Sequence, residues 1–225
     1  MNRRQLMTAA MLAPVLLLPG CETRKELSLV EAIRRLLLLA ATRALAMLTR
    51  ENGFYEDAVA RISLPDALGG EGVSKSLTTL LLSSAFRSRL LKQANRAAEK
   101  GADLAAPLIA DTVRDMPVDQ ALSIVRGSPT SATDLLRHVL GTSLVSTMLP
   151  GVDQGLKLFD SAVVTDALKL ATGIDFTAFR DDVTAKAADG IFRAIGREEA
   201  AIRADPASTN DPLLIGVFGL AGRKL

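Results

Sequence analysis

The sequence predicts an all-α protein: a single multi-helix bundle domain behind an N-terminal leader. Three observations carry that prediction. Glycines and prolines punctuate the chain at helix-length intervals, among them Gly101, Pro107, Gly127, Pro129, Gly151 and Gly173. No stretch alternates apolar and polar residues between hairpin turns, as half-buried strands do. With seven Phe, one Tyr and no Trp among 48% hydrophobic residues, the core must be built mainly from aliphatic side chains.

The first element is a leader. Arg3 and Arg4 give a positive start, and Leu6 to Leu18 form an apolar run of signal-peptide length, too short for a membrane span and interrupted by Pro14. Leu18-Pro19-Gly20-Cys21 then resembles a bacterial lipobox, with Cys21 as the lipid attachment site. Cys21 is the only cysteine, so no internal disulfide can form. Two or more acyl chains on it would make a stable anchor. Glu22 follows, which by resemblance to enterobacterial lipoproteins favours the outer membrane over the inner. Arg3-Arg4-Gln5-Leu6-Met7 also resembles a loose twin-arginine signal, leaving the export route open. The plan is therefore a signal peptide at 1–20, a lipid-anchored linker at 21–27, a helical domain at 28–219 and a tail at 220–225. Of the 27 basic residues, Arg3 and Arg4 leave with the leader, so 25 remain against 25 acids. A balanced charge gives no support for nucleic-acid binding.

Ser28-Leu29-Val30-Glu31 reads as a capping box opening a helix to about Arg50, stopped by Asn52-Gly53. Its run of four leucines, Leu36 to Leu39, should be buried on most sides. Residues 53–68 are the least helical part, with Leu64 extended before Pro65. Gly69 to Ser76 is a turn; it lacks the Gly-Lys spacing and preceding strand of a phosphate loop. Ser74 to Lys100 follows as one helix or two, broken near Ser83-Ser84 and ended by Gly101. Helices are then expected at Pro107–Asp115, Pro117–Val125 and Pro129–Met148, each with proline at or near its first turn. Another is expected at Val152–Ala171, interrupted near Asp160 and closed by Gly173. Asp175 caps a long helix from Phe176 to Ala204, and Asp205-Pro206 ends it. Asp211-Pro212 starts a last short helix, Leu213 to Phe218, with Leu213, Leu214, Val217 and Phe218 on the face that docks.

Several segments together resemble an uncharacterised bacterial lipoprotein family, domain of unknown function 4197. They are Gly53-Phe54 through Arg61-Ile62-x-Leu64-Pro65, Asn95-Arg96-Ala97-Ala98-Glu99, and Asp119-Gln120-Ala121-Leu122-x-Ile124-Val125-x-Gly127. The most specific is Val183-Thr184-x-Lys186-Ala187-x-Asp189-Gly190-Ile191-Phe192, followed by Glu198-Glu199-x-x-Ile202-Arg203-x-Asp205-Pro206 and Val217-Phe218-Gly219. The chain departs from the family around Ser83-Ser84 and between Gly151 and Phe179. The resemblance implies a helical fold, a signal peptide and an envelope location, and carries no known activity.

The chemistry-bearing residues argue against catalysis. His138 is the only histidine and belongs on the flank of an apolar helix face. One His and one acylated Cys do not make a zinc site, and no Gly-x-Ser-x-Gly elbow or Ser-x-x-Lys pair is present. Asp181-Asp182 and Glu198-Glu199 are adjacent pairs, about 100° apart on a helix, and not carboxylate dyads. No catalytic residue, metal or cofactor is therefore expected. Candidate functional or structural polar positions are Arg96, Glu99, Lys186, Asp189, Glu198 and Arg203. On the long helix, Ala187, Ile191, Ile195 and Ile202 form one stripe with Glu198 inside it, which predicts that Glu198 is buried and paired. Lys186, Asp189, Arg193 and Arg197 lie opposite, either against another part of the protein or as a recognition surface. The expected function is a lipid-anchored periplasmic module, without catalytic site, that binds an envelope protein or a lipid-like ligand. The membrane is reached through Cys21. A helical carrier of a hydrophobic small molecule, suggested by Ala97-Ala98, Ala105-Ala106 and Ala187-Ala188, is the alternative. An enzyme using carboxylates is the third.

Overall fold

The computed structural model describes residues 20–64, 83–157 and 175–221, with residues 165, 169 and 173 between them. The helices are α1 (Gly20–Leu48), α2 (Gly53–Glu56), α3 (Ser84–Asp115) and α4 (Ala121–Arg126), then α5 (Ser131–Leu140), α6 (Ser143–Leu156), α7 (Phe176–Ala204) and α8 (Pro212–Ala221). A 3-10 turn, Pro206–Thr209, joins the last two. There is no strand among the described residues, and the fold is all-α as the punctuation predicts.

The leucine-rich first helix lies in the middle of the bundle. Ala32, Ile33, Leu36, Leu37, Ala40, Ala44 and Leu48 have no exposure, while Leu38 and Leu39 are half-buried. Its start differs from the expectation. α1 is already helical at Gly20, so Ser28-x-x-Glu31 lies inside the helix and does not cap it. Glu31 instead reaches forward one turn to Arg35, at 2.8 Å. At the other end Asn52 takes the left-handed conformation (φ 63°), and Gly53 opens the single turn of α2.

α3 corrects two expectations. Ser83 caps it as the predicted break implies, its hydroxyl accepting from the Phe86 N–H at 3.2 Å. The helix then runs through both Gly101 and Pro107. Pro107 is exposed, and loses only the bond toward Asp103. Ala105, Ile109 and Val113 on the other face are fully buried, which holds the helix together across the proline. Gly101 serves a crossing. α3 and α6 pack antiparallel so closely that a Cβ on Gly155 would stand 2.5 Å from Ala97 Cα, and one on Gly101 would stand 2.9 Å from Val152 Cγ2. Gly151, expected to end a helix, is likewise inside α6 and against the Lys100 carbonyl. The expected Pro129–Met148 helix is two helices, because Gly141 turns the chain with φ 49°. Residues 117–120 precede α4 as a turn.

Other predicted ends hold. Gly173 has φ 71° and donates its N–H to the Lys169 carbonyl at 2.8 Å. Asp175 accepts from Ala178 N–H and opens α7, which ends at Ala204. Asp211 accepts from the Leu213 and Leu214 N–H groups and opens α8. Leu214 and Phe218 are buried at 1% and 2% exposure, so α8 docks on the face its sequence predicts. The expected turn at Gly69–Ser76, the start at Ser74, the interruption near Asp160 and the leader at 1–19 lie outside the described residues.

Candidate functional site

The family-like segments converge where residues 57–63 strap across α7. Asp57 accepts from the Val59 and Ala60 N–H groups at 2.9 Å each and takes Arg197 Nη1 on both oxygens at 2.8 and 3.0 Å. Burial alone would raise its carboxyl. The two amides and the guanidinium outweigh that and hold it below the ordinary range. Arg193 Nε donates to the Val59 carbonyl at 2.6 Å, and Lys186 Nζ donates to Ser63 O at 3.2 Å and to Asp182 at 2.8 Å. Asn95, fully buried on α3, grips Ile62 as a neighbouring strand would. Its Oδ1 accepts the Ile62 N–H at 2.9 Å and its Nδ2 donates to Ile62 O at 3.2 Å. Gly190 is needed here, since a Cβ would stand 2.8 Å from the Ala60 carbonyl. The charged face of α7 thus contacts another part of the protein. Lys186 anchors the strap, and Asp189 links Arg137 of α5 (2.6 Å) to Arg193.

The buried carboxylate of α7 is Glu199, not Glu198. Glu199 has no exposure, whereas the Glu198 side chain is 21% exposed and lies 3.5 Å from Arg197. The expectation failed because it treated α7 as buried along one stripe. α5 covers a second side, and Glu199 points at the start of α5. It accepts from the N–H groups of Ala132 (3.1 Å) and Thr133 (2.7 Å), from Thr133 Oγ1 (2.6 Å) and from Arg203 Nε (2.8 Å). This is a helix N-cap supplied by a distant residue. Arg203 completes the joint by donating to the carbonyls of Val125 and Ile124 at the end of α4 and to Ser131 Oγ. Every polar atom of the pair is occupied by the fold, so Arg203 is a brace.

Glu99 is in the opposite condition. It is 8% exposed on α3, beneath the α1–α2 turn, and its Oε1 has no hydrogen-bond partner. Burial pushes its carboxyl up to about 7. The Arg96 charge opposes the shift, Glu51 adds to it, and the backbone N–H groups of Asn52 and Phe54 give partial relief. Asn52 Oδ1, in the same corner, is also buried without a partner. Arg96 itself is turned outward to Glu51 at 2.5 Å. Next to this corner an open cleft of about 590 Å³ runs between the end of α1, α2 and α7, lined by Arg50, Glu51, Glu56, Asp57, Arg197 and Glu198. No carboxylate among the described residues lies within ion-pair distance of Arg50, whose guanidinium rests on Met47.

Of the predicted polar positions, Glu198 lines the cleft, Arg96 bonds its lining residue Glu51, and Glu99 lies against the neighbouring α1–α2 turn. Lys186 and Asp189 belong to the strap joint, and Arg203 to the α5 joint. Cys21 is the second residue of α1, and His138 is exposed on α5. Asp57, Asn95 and Glu199 were missed as polar centres. Asn95 belongs to the family-like segment Asn95-Arg96-Ala97-Ala98-Glu99 and shares a helix face with Ala98 and Ala102, and that position on an apolar face was the available signal. No solved structure matches the chain. The family described as proteins of unknown function DUF4197 matches residues 23–219, nearly the whole helical domain, and the chain belongs to that family.

Proposed function

We propose that the protein is a lipid-anchored envelope protein, facing the periplasm and acting as a binding or interaction module. The reading is carried by the order of features at the N-terminus. A basic start and an apolar run lead to the lone Cys21, and α1 continues from there into the centre of the bundle. Glu22 favours the outer membrane. No helix among the described residues is long and apolar enough to cross a membrane, so in this reading attachment falls to Cys21. The module carries no catalytic centre in this proposal, since its buried ion pair braces α4, α5 and α7. The charged cleft beside Arg50 and Glu198 is the proposed docking place for an envelope protein segment. Ala97, one of the small residues that suggested a carrier, is engaged in a close helix crossing with Gly155, which favours the module over the carrier at that position.

Two measurements test the proposal. Palmitate labelling of the full chain should be lost in Cys21→Ser, and persisting label would overturn the anchor. A photo-crosslinker at Ala58, exposed on the rim of the cleft, should trap a discrete envelope protein that one at Leu104 does not. Equal trapping from both positions would remove the cleft from the proposal.

A further inference from the structure

Arg96 stands between two carboxylates. It lies one turn before Glu99 on α3, a spacing at which the two side chains can meet. In the structure its guanidinium is instead on Glu51, at 2.5 Å. That pair is open to water, with side-chain exposures of 43% and 74%, and such pairs contribute little. Glu99 is buried, and its Oε1 has no partner. An ionised carboxylate left buried and unpaired costs far more than a surface pair returns. The outward placement of Arg96 therefore belongs to a Glu99 that holds its proton. Asn52 points the same way. Its Oδ1 shares the corner, lacks a donor and is, like Glu99 Oε1, closed to water. A protonated carboxyl is a donor that the corner itself can supply.

The charged groups around this corner come from four elements. α3 itself carries Arg96, Lys100 and Asp103, the turn after α1 carries Arg50 and Glu51, and α2 carries Glu56. α7 presents Arg197 and Glu198 across the cleft. α6 packs on the far side of α3, and its one charged residue, Asp153, is bonded to Arg180. Of these, Arg96 and Glu51 act most strongly on Glu99, in opposite directions.

We propose that Glu51 and Glu99 exchange Arg96 as Glu99 gains and loses a proton, and that this exchange sets the charge of the cleft. With Glu99 protonated, Arg96 holds Glu51 and Asp57 holds Arg197, so the lining keeps Glu56 and Glu198 against Arg50. When Glu99 releases its proton to solvent, Arg96 turns to Oε1, and Glu51 is left open in the cleft. An excess of one negative charge becomes two. The cleft then favours a partner segment bearing Lys or Arg, held more firmly as pH rises through about 7. That last step rests on the docking role proposed above; the exchange itself does not.

Side-chain NMR of the intact protein, with isotope-labelled glutamate and arginine, tests the exchange. The Glu99 carboxyl carbon and Arg96 Nε should titrate together, with one midpoint near 7. Glu51→Gln removes the competitor and should lower the Glu99 midpoint by about half a pH unit or more, whereas Asp111→Asn, farther along α3, should leave it unchanged. Glu99→Gln should hold the Arg96 signal at its low-pH position throughout. An Arg96 signal that ignores Glu99, or an unmoved midpoint in Glu51→Gln, would overturn the proposal. The photo-crosslinker at Ala58 separates exchange from docking. Wild type should trap its envelope protein better at about pH 8 than at about pH 6, and Glu99→Gln equally at both. Wild-type trapping that is the same at both would overturn the control of the cleft by Glu99. No trapped protein at all, with the coupled titration intact, would remove the docking role and leave the exchange standing.

Discussion

Glu199 and Glu99 are both carboxylates taken almost completely out of water, and the fold treats them in opposite ways. Glu199 receives four hydrogen bonds, two of them from the amides at the start of α5 and one from the Arg203 guanidinium one turn away. Glu99 keeps one oxygen without a partner, has Arg96 turned away toward Glu51, and is pushed up to about 7. Burial is nearly the same for the two, so the difference lies in the donors. A helix start aimed at the group makes the charge part of the architecture. A turn that offers only partial relief leaves it on the edge of protonation.

Removing the satisfied charge should have the largest effect. Glu199→Ala leaves Arg203 buried at 10% side-chain exposure and uncovers the first amides of α5. The expected loss is about 3–5 kcal/mol in urea or thermal unfolding. A loss below about 1 kcal/mol would mean the joint contributes little, and the contrast with Glu99 would collapse.

The second prediction concerns pH. Glu99 in the folded protein titrates above its ordinary range, so between the two pKa values the folded state holds more protons than the unfolded one. Its stabilising contribution is complete below about 4.5 and is lost as pH rises through about 7. Lowering the pH from 8 to 5 should therefore raise stability, by up to about 3 kcal/mol. Asp57 and Asp211 are shifted downward, and their contributions fade only at lower pH. Glu99→Gln should stabilise the protein at pH 8 and flatten the dependence. A flat wild-type profile would show that the Glu99 oxygen has a partner after all.

Two smaller effects sharpen the comparison. Glu198→Ala, one residue from the braced carboxylate but partly in water, should cost about 1 kcal/mol or less. Lys186→Ala should change stability by about 0.5 kcal/mol, since its bonds to Asp182 and Ser63 are near solvent. A Glu198→Ala loss equal to that of Glu199→Ala would reverse the assignment of the buried position.

Much of the fold was legible because local chemistry decided it. Asp175, Asp211 and Gly173 mark helix ends through their own side chain or backbone freedom, and each does so in the structure. Gly101 and Gly151 follow a different rule. A glycine that ends a helix and one that lets two helices touch read alike in a single sequence, and only the α3–α6 crossing separates them. Pro107 was misread for a related reason, because three buried residues around it outweigh one missing bond. The polar centre on α7 was missed by one position. A periodicity of 100° per residue locates a single apolar stripe well, but it does not reveal that α5 lies on a second side.

α1 has a mechanical consequence as well. It is helical from Gly20, and among the residues of described burial the first fully buried one is Ala32. At about 1.5 Å per residue, the rise from Cys21 to Ala32 is about 16 Å. If Cys21 carries the lipid, the domain is mounted on a short post and not on a leash. In that reading it could neither range far from the membrane nor turn freely over it. Whatever it meets must come to within a molecular diameter of the bilayer, and would meet the same side of the bundle each time.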